Sequence, residues 1–150
     1  MAIADRTTRT VWEGPLATGS GRLESGSGAL TGRDVTWAAR TEEPGGKTSP
    51  EELAAAAHSS CFSMALALKL GEHQARPQKL DVQATVTLDE VDGLPTIVSS
   101  ALQIKAEVEG IDAADFQKVV DEAAALCPVS RLFASAKISV NAELLARESA

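Results

Sequence analysis

Apolar and polar positions alternate with a period of two in three parts of the chain. Val82, Ala84, Val86 and Leu88 alternate with Gln83, Thr85, Thr87 and Asp89, and Leu102, Ile104, Ala106 and Val108 alternate with Gln103, Lys105 and Glu107. Ile138, Val140 and Ala142 repeat the pattern near the end. This period predicts half-buried strands, because successive side chains on a strand point to opposite faces. Asp92-Gly93 is a turn signal between the first two, which read as an antiparallel pair. Nearer the start, Thr7–Glu13 is β-prone and ends at Gly14-Pro15. Glycines at 19, 21, 26, 28 and 32 then punctuate short segments that suit a hairpin or meander. Val35–Thr41 is a further strand candidate, and Glu42–Lys47 is a loop by composition.

Between these strand regions the pattern breaks down into LAAAAHSSCFSMALAL, with no formal charge between Glu52 and Lys69. Such a stretch predicts a helix buried on every side. Its start is marked by Ser49 as a cap, Pro50 at the first helical position and Glu52 placed to close a capping box. Gly71 is the expected stop. His58, Ser59, Ser60, Ser63 and the many alanines argue against a membrane span. The same small residues let a second helix approach closely, across a two-fold axis. Asp112 caps a second helix with Phe116, Val119, Val120 and Ala123 on one face. That helix breaks at Cys127-Pro128, and a short third helix over Val129–Ala134 follows. The expected fold class is α+β within one domain over 1–150: N-terminal strands in 1–48, a central helix in 49–70, and strands, second helix and final strand in 80–150.

Composition narrows the choice of partners. The chain has 150 residues, 14 Lys+Arg against 21 Asp+Glu, and a net charge of −7. That balance argues against nucleic acid or an anionic membrane, both of which need a basic face. Five aromatic residues (Trp12, Trp37, Phe62, Phe116 and Phe133) leave a mostly aliphatic core, and a partner subunit is expected to supply part of the burial. The first residues contain Asp5, Arg6 and Arg9 and no apolar run like a signal segment, so a cytoplasmic location is expected.

Cys61 in the long helix and Cys127 at the helix break are the two cysteines. One reading makes them small buried hydrophobes. The other gives them redox chemistry, as a thiol pair in the cytosol more often has. Cys127 precedes a proline at a helix start, where free N–H groups favour a thiolate. A zinc site of His58, Cys61, Cys127 and His73 lacks ligand spacing at His73, so no metal is expected. His58 reads instead as a hydrogen-bonded interior residue. Glu52 is assigned to capping.

The segment SPEELAAAAHSSCFSMALAL (Ser49–Leu68) closely resembles the active-site helix of the OsmC/Ohr family. Gly110-Ile111-Asp112 through Ala125-Leu126-Cys127-Pro128-Val129-Ser130 resembles that family's second cysteine motif, and Trp12-Glu13-Gly14 fits the OsmC branch. The resemblance implies an intertwined homodimer, with antiparallel sheets wrapped around a long buried helix from each subunit. It implies thiol-dependent reduction of organic hydroperoxides and, more weakly, hydrogen peroxide, with no cofactor. Cys61 matches the peroxidatic cysteine, Cys127 the resolving cysteine and Glu51 the motif's acidic residue. The family's arginine falls at Arg40, on what reads as the strand before the helix; Arg22 is the alternative. The place where the Ohr branch carries its arginine corresponds to the Gly-rich turn near Gly19, within Ala17–Arg22, and has none at that position. A dithiol, lipoyl-type or small, is the implied reductant.

Glu51 and Cys61 lie ten residues apart, and on one straight helix that is roughly 15 Å along the axis. A glutamate side chain cannot span this. Either the Arg40–Glu51 pair that serves Cys61 belongs to the other subunit, or the helix bends. Glu51 as a first-turn acid and Arg40 as a solvated strand residue are the structural alternatives. A thiol redox sensor or ligand-binding dimer, and a plain structural dimer, compete with the enzyme.

Overall fold

The protein is described here by a computed structural model covering residues 1–145. Its contacts divide into a unit from Met1 to Leu53 and a second from Ala54 onward. In the first, β1 (Thr8–Glu13), β2 (Ser20–Ser25) and β3 (Asp34–Val35) form an antiparallel sheet in the order β1-β2-β3. Gly21 lies opposite both Trp12 and Val35. A Cβ there would sit 2.8 Å from a Val35 methyl and 3.1 Å from the Trp12 ring, so glycine allows both side chains to cover the strand.

Of the strand expected over Val35–Thr41, only Val35 is in a strand. The chain leaves β3 at Val35 and turns into α1 (Trp37–Thr41). Thr36 is extended and its hydroxyl accepts from the Ala39 N–H at 3.0 Å, capping the helix. Ala38, Ala39 and Arg40 are strong helix formers, and the cap lets that propensity prevail over the β-branched start. Arg40 therefore projects from the last turn of a short helix. The next helix, α2 (Pro50–Glu72), starts as its sequence predicts: the Ser49 hydroxyl accepts from the Glu52 N–H at 3.2 Å. The capping box is only half made, because the Glu52 carboxylate accepts from Thr48 at 2.6 Å.

In the second unit, β4 (Arg76–Val91) and β5 (Leu94–Glu109) pair antiparallel around Asp92-Gly93. Both loop residues have positive φ, 53° and 79°, the two-residue turn whose twist matches the strands. α3 (Ala113–Leu126) follows, with Asp112 Oδ1 accepting from the Asp115 N–H at 2.8 Å. α4 (Pro128–Leu132) begins at the predicted proline. The last strand, β6 (Lys137–Leu144), pairs with β5 in parallel, so this sheet is mixed and not antiparallel throughout. The α3–α4 excursion is the crossover that returns the chain in the same direction.

His58, Phe62, Leu66 and Leu70, four residues apart, form the fully buried stripe of α2. The last three join Leu102, Ile104 and Ala106 of β5 and Phe116, Val119, Val120 and Ala123 of α3 in one core. α2 is not buried on every side within one chain: Ala56, Ala57, Ser60, Met64, Ala67 and Leu68 are exposed. Among the described residues it is the one helix long and apolar enough to cross a membrane, a test that core helices of soluble proteins also pass. Gly71 does not stop it. The helix runs to Glu72, and Gln74 takes the left-handed conformation (φ 61°) that lets the Ala75 N–H reach the Leu70 carbonyl at 2.9 Å.

Candidate active site

Cys61 lies one residue before Phe62 of the buried stripe and is half-buried, while Cys127 is fully buried. Both are free thiols, with sulfurs 3.4 Å apart, and Cys127 donates to Cys61. A disulfide needs about 2.05 Å, so small side-chain adjustments are enough to join them. α3 ends at Cys127, which is also the N-cap of α4. Proline at the next position stops the first helix and starts the second. This break aims the Cys127 side chain at α2.

The two thiols ionise differently. Burial pushes Cys61 above the ordinary thiol range, and its contact with Cys127 adds to that. A backbone hydrogen bond from Val129 opposes the rise. Burial also acts to raise Cys127, but the Ser130 hydroxyl and N–H, with Cys61 and Val129, outweigh it and leave Cys127 below the ordinary range. As a thiol, Cys127 makes no capping bond to α4; the donors are placed for its anion. The more exposed sulfur is thus the harder one to ionise.

His58 lies eight residues after Pro50, the first residue of α2, and is fully buried. Its Nδ1 is 2.6 Å from Ser100 Oγ and its Nε2 is 2.8 Å from Ser130 Oγ. Phe133 packs against the ring edge-on, with centroids 5.4 Å apart. Burial lowers the His58 pKa from 6.5, so the folded chain holds it neutral where the unfolded chain takes up a proton. The contribution to stability is full above about pH 6.5 and declines below it. Denaturant unfolding on either side of that pH is expected to show this loss, and His58→Gln to reduce the slope. An equal slope in the variant would assign the acid sensitivity elsewhere.

In the first unit Arg40 and Glu51 form a closed pair. Arg40 Nε donates to Glu51 Oε1 and Oε2 at 2.9 and 3.1 Å, and Nη2 lies 2.8 Å from Oε1. Glu51 is buried and Arg40 is partly exposed, with its guanidinium 5.9 Å from the Trp37 ring centroid. The fork-shaped contact fixes the guanidinium plane as a single hydrogen bond would not. Trp12, Leu16, Val35, Thr36, Trp37, Arg40 and Pro50 line a largely apolar pocket of about 190 Å³. A charged group at the edge of an apolar pocket suits a ligand with one polar and one greasy end.

The predicted site residues are therefore brought together as two pairs, Cys61–Cys127 and Arg40–Glu51. Arg22 is exposed on β2, opposite Val11 and Asp34. His73 is exposed and 2.9 Å from Glu122, and both ring nitrogens of His58 are taken by serines. Ser100 and Ser130 are site residues that sequence reasoning misses. Ser130 had a signal, three residues after Cys127 at a helix start; Ser100, on β5, had none.

The family model described as OsmC-like protein matches residues 43–143. The chain is 41% identical over 133 residues to Peroxiredoxin OsmC of Escherichia coli, covering 89% of this chain and 92% of that protein. It is 30% identical over 131 residues to an organic hydroperoxide resistance protein of Xanthomonas axonopodis pv. citri, covering 87% and 90%. The crystal structure of the organic hydroperoxide resistance protein OhrB of Bacillus subtilis superposes with a TM-score of 0.73 at 26% identity, covering 96% of this chain and all of that one. With a family model matched over residues 43–143 and a relative 41% identical over most of both chains, the chain belongs to the OsmC-like family.

Proposed function

We propose that this protein is a cysteine peroxidase that reduces organic hydroperoxides to alcohols, and hydrogen peroxide more weakly, protecting the cell against oxidative stress. The observation that carries the reading is the 3.4 Å approach of two free thiols from distant parts of the sequence. The relatives' names, peroxiredoxin and organic hydroperoxide resistance protein, support it. Cys61, the more accessible sulfur, attacks the outer peroxide oxygen as a thiolate. The O–O bond breaks, the alkoxide leaves and takes a proton to become the alcohol, and Cys61 becomes a sulfenic acid. Cys127 then displaces hydroxide from that sulfur, closing the disulfide and releasing water. A dithiol reductant reopens it by exchange.

Burial raises Cys61, so its thiolate needs a cation. Arg40 supplies one in this reading, held in plane by Glu51, because a guanidinium stays charged when partly desolvated. The ten-residue spacing from Glu51 to Cys61 favours delivery of the pair from the other subunit of a homodimer. The exposed small-residue and Met64–Leu68 face of α2 is suited to such pairing. The apolar pocket beside Arg40 favours an alkyl or aryl hydroperoxide over hydrogen peroxide. A soluble cytoplasmic dimer is the expected form.

The test is steady-state consumption of cumene hydroperoxide and hydrogen peroxide, with dihydrolipoamide and thioredoxin compared as donors. Sustained turnover, faster with the organic substrate, is the expected result. A single stoichiometric oxidation without turnover would replace the enzyme with a redox sensor, and a monomer in sedimentation analysis would remove the cross-subunit arginine.

A further inference from the structure

The buried hydrogen-bond chain around His58 ends at Ser130, in the first turn of the helix that Cys127 caps. Ser100, His58 and Ser130 are joined at 2.6 and 2.8 Å, and Ser130 follows Cys127, the N-cap of α4, by three residues, where its hydroxyl helps to hold the Cys127 pKa down. Ser100, His58 and Ser130 are all buried, at 1%, 0% and 8% exposure, so water does not compete for these contacts. We propose that His58 and Ser130 are positioning residues for Cys127: the imidazole fixes the direction of the Ser130 hydroxyl so that its proton faces the Cys127 sulfur during disulfide closure. The proposal deepens the peroxidase reading and rests on it for the role of Cys127.

The direction follows from counting protons. A neutral imidazole has one nitrogen that donates and one that accepts. A serine hydroxyl has a single proton. If Ser130 donated to His58 Nε2, that proton would be spent and the cysteine would face only a lone pair. With the proton on Nε2, His58 donates to Ser130, the Ser130 proton is free for the sulfur, and Ser100 donates to Nδ1. Among the described residues every buried side-chain nitrogen and oxygen has a partner, and this proton placement gives Ser100, His58 and Ser130 complementary donors and acceptors. A hydroxyl proton aimed at the sulfur favours thiolate over thiol. In the step itself the Cys127 electron pair forms the S–S bond and the S–O bond of Cys61 sulfenic acid breaks. The departing hydroxide leaves as water with the proton that Cys127 gave up. No external oxidant is needed, and neither His58 nor Ser130 changes its own proton count.

The experiment uses the full-length chain with Cys61→Ser, so that Cys127 is the sole thiol. Its thiolate is followed by ultraviolet absorbance at neutral pH. Adding Ser130→Ala is expected to lower the thiolate fraction about tenfold, the worth of one charge-assisted hydrogen bond, and Ser130→Thr to restore it. An unchanged fraction in Ser130→Ala, or a loss that threonine does not restore, would overturn the proposal. In the unsubstituted chain, the imidazole nitrogen shifts in NMR are expected to report His58 protonated at Nε2. Protonation at Nδ1 would overturn it independently of any substitution. Neither readout involves hydroperoxide, so absent turnover would count against the peroxidase reading while leaving this one standing.

Discussion

Replacing Cys61 with serine is expected to abolish hydroperoxide consumption, while replacing Cys127 leaves one turnover followed by irreversible oxidation. The asymmetry comes from the positions of the two sulfurs. Cys61 is half-buried, whereas Cys127 is fully buried. A serine hydroxyl at position 61 is not an anion at neutral pH, so it cannot replace the thiolate as nucleophile. Without Cys127, the sulfenic acid still forms and one equivalent of alcohol is released. No thiol is then 3.4 Å away to trap it, and excess hydroperoxide carries Cys61 on to the sulfinic acid. Stopped-flow consumption and intact-mass measurement separate the two variants. Equal residual turnover in both would show that the roles are wrongly assigned.

The second large effect is expected at Arg40. Arg40→Ala should reduce kcat/KM for organic hydroperoxide about a hundredfold, the scale of removing one preorganised electrostatic contact. Arg40→Lys keeps the charge but cannot make the two-pronged contact with Glu51, so it is expected to recover only a small part. A merely structural role would reduce the rate equally at every pH. Loss of a cation that stabilises the Cys61 thiolate should instead move the rising limb of the rate profile to higher pH, so the deficit shrinks in alkaline buffer. An Arg40→Ala profile parallel to the unsubstituted one would remove Arg40 from the thiolate's environment.

Much of this was legible in the sequence because it is encoded locally. The alternation in 82–88 and 102–108, the Asp92-Gly93 turn, and the Ser49 and Asp112 caps each depend on a few neighbouring residues. The errors have equally local causes or depend on distant parts of the chain. Val35–Thr41 reads as strand with its β-branched start, Val35 and Thr36, while the Thr36 cap turns Trp37–Thr41 into helix. Gly71 is the stop that the sequence predicts, but Gln74 takes the left-handed conformation that ends the helix. The parallel pairing of β6 depends on how the α3–α4 crossover returns, which alternation alone does not encode. At the site, the cysteines and the Arg40–Glu51 pair were accessible through resemblance. The hydroxyl partners of His58 come from residues 42 and 72 positions away, and only folding brings them to the ring.

The most direct test of the central claim is to treat the fully reduced protein with one equivalent of organic hydroperoxide and map the product by mass spectrometry after thiol blocking. The account predicts loss of both thiols and a single cross-linked peptide pair joining Cys61 to Cys127, reversed by a dithiol. Two free cysteines after complete consumption of the hydroperoxide, or a stable sulfenic or sulfinic acid on Cys61 with Cys127 still reduced, would contradict it.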